Sequence, residues 1–235
     1  MNDSNRTVSR EEWTVARRAF LEREKAFDRE RDALAAARRA LPRVEVDTRY
    51  VFEEPGGKRT LLDLFEDRPQ LIVYHFMLAP GATEPCRGCS FVADNIEGGF
   101  RHFAGRDTAF AMISRADVAT IEAVKKRMGW TSRWLSSAGS DFNRDFGVTL
   151  EKEEDGVRYN FGTGRPGTGD RPGLSCFARE GSDVFYTYST YARGLDMLIS
   201  TYNYLDLTPL GRHEEGLPYP MAWVKHHDRY GLTGP

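Results

Sequence analysis

The chain has 235 residues, with 40% hydrophobic and 29% charged residues and a formal net charge of −2 at pH 7. This length fits one large domain, or one domain with appendages, and it suffices to bury a sizeable core. The small net charge gives no general attraction to nucleic acid or to anionic membranes, and no apolar run could span a bilayer. No secretory signal pattern is visible either, so we expect a cytoplasmic protein that binds neither nucleic acid nor membrane.

Residues 1–43 are predicted to form an N-terminal helical extension. Ser9 and Glu12 form an S-x-x-E capping box, which predicts a helix from about Ser9 to Ala40, and Pro42 blocks its continuation. Apolar residues recur at intervals of seven and form one stripe of this helix. They are Trp13, Phe20, Phe27, Leu34 and Leu41. The stripe either packs on its own domain or forms a homodimer contact.

The next part of the chain alternates between predicted strands and helices. Residues 44–60 favour a hairpin, and residues 70–77 form a continuously apolar, strand-sized run. A helix is predicted after it, followed by a strand over residues 108–114 and an amphipathic helix over 118–128. Another short strand is predicted at 133–136. This alternation predicts an α/β fold with a parallel sheet, in a domain that spans residues 44–210.

The second half of that domain carries different patterns. The polar, glycine-rich residues 151–171 are predicted to be a loop insertion. Residues 174–189 favour an antiparallel hairpin around Glu180 and Gly181, and residues 194–204 favour a final helix. Residues 211–235 form a C-terminal tail, which contains too many aromatic residues to be wholly disordered.

The strongest chemical signal is the C-x-x-C motif formed by Cys86 and Cys89. It follows the apolar strand and precedes a predicted helix. The N–H groups and partial positive charge of a helix N-terminus stabilise a thiolate, so the pKa of Cys86 should fall. Arg87 adds a positive charge in the same place. Cys86 is therefore the candidate attacking thiolate, and Cys89 is the candidate resolving thiol of a redox dithiol.

Other uses of the cysteine pair stay open. The two thiols could be buried without chemistry, or they could bind a soft metal such as Cu(I). A structural zinc site requires four ligands, but Cys176 stands alone and none of the five histidines forms a suitable pair with another. We therefore expect no bound metal and no cofactor.

Several long motifs resemble one family over nearly the whole chain. They are "LIVYHFM", "CRGCSF", "SRADVATIEAVKKRMGW", "SSAGSDFNRDFGV", "YSTYARGLD" and "YNYLDLTPLGR". Together they resemble the bacterial thioredoxin-like family known as domain of unknown function 899. The resemblance implies a thioredoxin-like fold, a central mixed sheet flanked by helices, here with a long N-terminal helix and a C-terminal extension. It also implies a dithiol–disulfide oxidoreductase of unestablished substrate, in which Cys86 and Cys89 carry the reaction.

Two further residues are candidates by similarity to the wider superfamily. Thr83 stands three residues before Cys86, as in the P-x-x-x-T-x-x-C pattern of peroxiredoxins, although Pro80 is one residue too close. In that pattern the threonine hydroxyl assists a peroxidatic cysteine; the alternative role of Thr83 is a helix cap. Pro172 precedes a predicted strand, where thioredoxin folds place a cis-proline that faces the active-site cysteines.

Three functions remain as hypotheses at this point. The first is a thiol–disulfide oxidoreductase, and the second is a thiol peroxidase in which Cys86 is peroxidatic. The third is a non-enzymatic module that binds a soft metal or a partner on a thioredoxin fold. The substrate is accordingly expected to be a disulfide, a thiol or a peroxide.

Overall fold

The computed structural model describes residues 6–46 and 49–231. It divides between Pro42 and Arg43 into two compact units. The helices are α1 (Arg10–Arg39), α2 (Arg87–Glu97), α3 (Phe100–Ala104), α4 (Val118–Met128), α5 (Phe142–Asp145), α6 (Asp155–Gly162) and α7 (Ser200–Leu205). The strands are β1 (Val44–Val46), β2 (Val51–Glu54), β3 (Gly57–Thr60), β4 (Gln70–His75), β5 (Thr108–Ser114), β6 (Trp134–Ser136), β7 (Thr149–Leu150), β8 (Gly169–Asp170), β9 (Gly173–Glu180) and β10 (Asp183–Tyr191).

The first unit consists of the long helix α1, and its predicted capping box is confirmed. The Ser9 hydroxyl accepts a hydrogen bond from the Glu12 N–H at 3.2 Å, and the Glu12 carboxylate accepts one from the Ser9 N–H at 3.0 Å. The five residues of the apolar stripe are 48% to 66% exposed. A homodimer contact through this stripe stays a prediction. In the described part of the chain, no helix is both long and apolar enough to cross a membrane.

In the described residues, the second unit is built on an eight-stranded mixed sheet with the order β1-β10-β9-β4-β5-β6-β2-β3. The central strands β4, β5 and β6 are parallel, and β9 runs antiparallel to both β4 and β10. The β4–α2–β5 crossover followed by the β9–β10 hairpin gives the local order β10-β9-β4-β5. This is the arrangement of a thioredoxin fold, so the predicted α/β fold class is confirmed, although the sheet is mixed rather than wholly parallel.

The sheet separates two hydrophobic clusters, because successive side chains of a strand point to opposite faces. Tyr74 of β4 belongs to the cluster that contains Cys89 and Val92 of α2. Its neighbour Val73 belongs to the opposite cluster, with Phe142 of α5. Burial on both faces explains why β4 is continuously apolar in sequence. The face of Tyr74 is the one on which the cysteine motif lies.

Two predicted elements are corrected by the structure. The residues of β1 pair with β10 rather than with β2, so the predicted hairpin at residues 44–60 is confined to β2 and β3. The predicted helix over 194–204 is instead a 3-10 segment, Ala192–Leu198, followed by α7. The break occurs because Ile199 is extended and the Asn95 side chain accepts a hydrogen bond from the Thr201 N–H at 2.8 Å.

The predicted loop insertion and the C-terminal tail both contain ordered structure in the described residues. Residues 151–171 contain α6 and β8, and β8 pairs with β7. The helical geometry of α6 ends before Tyr159, whose backbone is extended. The described residues of the C-terminal tail lie within the second unit, where Val224 and His226 are buried.

A buried histidine on β4 makes the stability of the fold dependent on pH. Nε2 of His75 lies 2.9 Å from the Ser175 hydroxyl, and Nδ1 has no hydrogen-bond partner among the described residues. Burial lowers the pKa of His75 to about 3, so the folded protein keeps the ring neutral. The unfolded chain takes up this proton below its ordinary pKa of 6.5, and the stability that His75 contributes is therefore lost as the pH falls below 6.5.

We expect this proton to reduce the free energy of unfolding by about 2 kcal/mol between pH 7 and pH 5. Urea unfolding of the wild type and of His75→Gln at both pH values measures the effect. The variant should lose less stability than the wild type over this interval. If the free energy of unfolding falls equally in the two proteins, His75 takes up its proton in the folded protein over this pH interval as well, and the prediction is wrong.

Candidate active site

The cysteine motif lies where the chain leaves β4 and enters α2. The Cys86 N–H donates a hydrogen bond to the Met77 carbonyl oxygen at 3.4 Å, and the Met77 N–H donates one to the Cys89 sulfur at 3.4 Å. Cys86 is the N-cap of α2, and its sulfur accepts a hydrogen bond from the Cys89 N–H at 3.5 Å. The strand, the loop and the helix thus occur in the order that the sequence predicts, with both cysteines on the first turn.

The two thiols differ in their access to solvent. Cys86 is half-buried, whereas Cys89 is only 1% exposed; neither forms a disulfide in this structure. Cys89 lies on the buried face of α2, in line with Val92 and Ile96. Only Cys86 is therefore placed to meet an incoming reactant, and Cys89 lies behind it.

The environment separates the pKa values of the two thiols. The Cys89 thiol donates a hydrogen bond that lowers the pKa of Cys86 to about 6, against the effect of burial. The N–H groups of Cys89 and Gly88 and the charge of Arg87 act in the same direction. Burial, reinforced by the Cys86 charge, raises the pKa of Cys89 well above its ordinary value. Near neutral pH, Cys86 is therefore a thiolate and Cys89 a thiol.

Tyr74 is a further polar group beside the pair that the sequence does not reveal. Its side chain is completely buried at the end of β4. Burial, with the nearby charge of Cys89 as the next cause, raises the pKa of Tyr74 well above its ordinary value. The hydroxyl therefore stays protonated, and it has no hydrogen-bond partner among the described residues. It is available to donate a hydrogen bond to Cys89 when charge develops on that sulfur.

Cys86 and the buried Cys89 both belong to the wall of a cavity of about 360 Å³. Its walls come from the end of β4, the first turns of α2, Pro172, the 3-10 segment Ala192–Leu198 and the tail residues 219–221. The volume is at the small end of the roughly 300–1,000 Å³ that is typical of ligand pockets. A second cavity of about 420 Å³, between β1, α5 and α6, has no cysteine in its walls.

Arg87 and Thr83 occupy different positions relative to Cys86. Arg87 is exposed in the cavity wall, and its guanidinium donates a hydrogen bond to the Tyr219 hydroxyl at 3.2 Å. Thr83 is exposed and is not part of that wall. Within the described ranges, no hydrogen bond joins its hydroxyl to Cys86, and the helix cap is Cys86 itself. The structure thus brings Arg87 to the site but does not bring Thr83 there.

Pro172 lies in the wall of the cavity, but the prediction that it is a cis-proline is wrong. None of the described peptide bonds is cis. The chain arrives at Pro172 in an extended form, because the Arg171 N–H donates a hydrogen bond to the Val148 oxygen at 2.8 Å and β9 begins at Gly173. No turn is needed there. The Pro172 carbonyl accepts a hydrogen bond from the Tyr159 hydroxyl at 2.6 Å, which holds the proline against the cavity.

The sequence did not reveal the residues that complete the cavity wall opposite β4 and beyond α2 in the chain. Ala192 and Asp196 belong to the "YSTYARGLD" motif, to which the sequence assigns no role. Tyr219 and Met221 belong to the tail, where only the high aromatic content gave a signal. Among the residues that the structure describes, no group of three or more His, Cys, Asp or Glu side chains could hold a metal ion.

The chain is similar to several proteins of known structure. It is similar in structure to a PrxQ mutant of Xylella fastidiosa (TM-score 0.46, 10% identity, 68% of this chain and 96% of that chain). It is also similar to peroxiredoxin Q of Xanthomonas campestris (TM-score 0.46, 16% identity, 64% and 87%). A third similar structure is peroxidoxin BcpB of Mycobacterium tuberculosis (TM-score 0.44, 15% identity, 68% and 92%). At these TM-scores and identities, the structural similarity carries no conclusion about the activity of this chain.

The sequence comparisons differ in outcome. No curated protein matches the chain. A family model, described as "Bacterial protein of unknown function (DUF899)", matches residues 2–230. Because the match covers nearly the whole chain, the protein belongs to this bacterial family of unknown function, DUF899.

Proposed function

We propose that the protein is a thiol–disulfide oxidoreductase whose redox centre is the Cys86–Cys89 pair. One observation carries the proposal: a half-buried thiol of lowered pKa caps a helix, with a buried thiol of raised pKa directly behind it. The first group is suited to attack, because the thiolate is the nucleophile in thiol–disulfide exchange. The second group stays protonated until the first has reacted.

The proposed reaction has two exchange steps. The Cys86 thiolate attacks one sulfur of a disulfide RS–SR, so that a Cys86–SR bond forms and RS⁻ leaves. Cys89 then loses its proton and attacks the Cys86 sulfur, which releases the second RS⁻ and forms the Cys86–Cys89 disulfide. The substrate gains two electrons and the protein loses two. One RS⁻ takes the proton of Cys89, and the other takes a proton from water, where the Cys86 proton went when that thiol ionised. The Tyr74 hydroxyl is placed to stabilise the charge on Cys89 in the second step.

The alternative reaction, reduction of a peroxide by Cys86, has less support. It was suggested by Thr83, which is exposed and forms no hydrogen bond with Cys86 within the described residues. A non-enzymatic role, in which the two thiolates hold a soft cation such as Cu(I), is the third alternative. It differs from the other two because the thiols then never form a disulfide during their function.

A single-turnover experiment distinguishes these alternatives. Reduced protein is mixed with hydroxyethyl disulfide or with hydrogen peroxide, and the reaction is quenched and followed by intact mass. We expect the disulfide to oxidise the Cys86–Cys89 pair faster than the peroxide does. The matched control is Cys176→Ser, because Cys176 lies on β9 outside the cavity wall and should leave the rate unchanged. Oxidation by peroxide alone would contradict the proposal.

A further inference from the structure

The C-terminal tail forms a roof over Cys86. Three consecutive tail residues, Tyr219–Met221, belong to the cavity wall and are called the roof here. The end of the Met221 side chain lies against the motif, since a Cβ atom placed on Gly88 would be 3.4 Å from Met221 Cε and 3.8 Å from Cys86 Sγ. The approach to Cys86 is therefore a bounded cavity and not an open face.

A single carboxylate holds the roof in position. One oxygen of Glu214, Oε1, accepts hydrogen bonds from the Tyr202 hydroxyl at 2.9 Å, the Met221 N–H at 2.9 Å and the Trp223 indole N–H at 2.7 Å. Charge-assisted bonds of this kind are about twice as strong as neutral ones. They fix Met221 in a left-handed backbone conformation with φ of 69°, which is uncommon for a residue other than glycine.

A second anchor joins the tail to the cysteine loop. The buried ring of His226 places Nε2 3.0 Å from the Pro85 carbonyl oxygen, next to Cys86. Nearby, the Arg229 guanidinium donates to the Glu84 carboxylate at 2.6 Å. The roof is thus attached on both sides, by Glu214 before it and by His226 after it, and its position relative to Cys86 is built into the fold.

The two charged residues in the cavity wall, Asp196 and Arg87, differ in whether they have a partner of opposite charge. Asp196 is neutralised, because its Oδ2 accepts hydrogen bonds from Arg212 at 3.0 Å and from Arg193 at 3.4 Å. Arg87 forms a hydrogen bond with the uncharged Tyr219 hydroxyl but has no carboxylate partner in the described part of the chain. An unpaired guanidinium is well suited to bind a carboxylate, which it can contact through two N–H groups. The remaining walls are mainly apolar.

We propose that the substrate is a low-molecular-weight disulfide with short apolar arms and a terminal carboxylate, which binds Arg87 while its sulfur meets Cys86. This inference rests on the proposed function and names the substrate class of the same site. The cavity of about 360 Å³ admits such a molecule, and the roof residues lie in its wall beside Cys86. On this proposal the roof hinders the approach of a folded protein chain to Cys86. The exchange steps are those given above, with a carboxylate on each RS group.

Three disulfides of similar size but different charge test the inference. They are dithiodipropionate, which is anionic, hydroxyethyl disulfide, which is neutral, and cystamine, which is cationic. The second-order rate constant for oxidation of the reduced full-length protein is measured with each probe. Each value is divided by the rate constant of mercaptoethanol with the same probe, which removes the intrinsic reactivity of the disulfide. We expect the normalised rate to be about 2–5-fold higher for the anion than for the cation, as for an exposed ion pair.

Two variants identify the source of this preference. Arg87→Gln should bring the three normalised rates close to one another, whereas Arg106→Gln, at an exposed arginine before β5, should keep the preference. Met221→Gly opens the roof at a position where glycine suits the backbone. It should raise the rate with a protein disulfide such as insulin relative to the small probes.

The outcomes separate this inference from the proposed function. If none of the probes oxidises the Cys86–Cys89 pair, the proposed function itself fails. If the pair is oxidised but the normalised rates are equal, or the cation is preferred, the function stands and the inference on substrate class is overturned. If the wild type reacts with insulin as fast as with dithiodipropionate, the roof does not hinder protein disulfides. That result overturns the role assigned to the roof.

Discussion

Replacing Cys86 with serine should reduce the rate of oxidation by small disulfides by at least about a thousandfold, because a serine hydroxyl is not ionised near neutral pH and cannot replace the thiolate nucleophile. Replacing Cys89 with serine should stop the reaction halfway. The first exchange still occurs, but no second thiol attacks the Cys86–SR bond. Intact mass spectrometry should therefore show no adduct on Cys86→Ser and a stable mixed disulfide on Cys89→Ser.

The folded state of both variants is checked by their unfolding curves. Cys89 is buried against Tyr74 and Val92, so serine at this position also tests whether the polar hydroxyl is tolerated. The trapped adduct is the decisive product, because it requires both a folded site and a reactive Cys86. An adduct that forms on Cys176 instead, or a Cys86→Ser protein that reacts at the wild-type rate, would refute the assignment of the attacking thiolate.

The second large effect is the pH dependence of alkylation by iodoacetamide. With a pKa of about 6, Cys86 is roughly 90% thiolate at pH 7, whereas an ordinary cysteine with a pKa near 8.5 is only a few per cent ionised. A lowered pKa means that the reactive form is present above pH 6 and is lost as the pH falls below it. The rate at Cys86 should thus level off above pH 7 and fall about tenfold per pH unit well below pH 6.

Cys89 provides the internal comparison. Its raised pKa and its burial predict negligible alkylation at pH 7 while Cys86 is fully modified. Peptide mapping after short exposure separates the two sites. Arg87→Gln should move the Cys86 midpoint to a higher pH, but by less than the loss of the Cys89 hydrogen bond, since the charge of Arg87 is the smaller cause. A Cys86 midpoint between pH 8 and 9 would show that neither the Cys89 hydrogen bond nor the helix terminus lowers the pKa of Cys86.

The sequence predicted correctly those elements whose structure is determined by residues close to one another in the chain. The capping box at Ser9, the strand over residues 108–114 and the helix that ends before Gly129 all have clear periodicity or end signals. The candidate redox pair belongs to this class, because strand, loop and helix are consecutive. The position of the C-x-x-C motif, between a strand and the N-terminus of a helix, was therefore predictable from the sequence.

Features that depend on distant parts of the chain were not predictable in this way. The pairing of β1 with β10 joins residues about 140 positions apart, and nothing within β1 distinguishes that partner from β2. The roof depends on the bonds of Glu214 and His226, which single residues in a polar tail do not reveal. Pro172 was identified by its position before a predicted strand, but its peptide bond is trans, and the segment before it is held by a hydrogen bond from Arg171 to the distant Val148.

The central claim is that Cys86 and Cys89 form a reversible two-electron couple, and an equilibrium titration in dithiothreitol and glutathione redox buffers, which together span reducing and oxidising potentials, tests it most directly. The ratio of reduced to oxidised protein is read by alkylation and intact mass after each equilibration. We predict one transition that involves two electrons, is absent from Cys86→Ser and Cys89→Ser, and is unchanged in Cys176→Ser. A pair that stays reduced across the whole range of buffers, or a transition that survives the loss of either cysteine, would contradict the account.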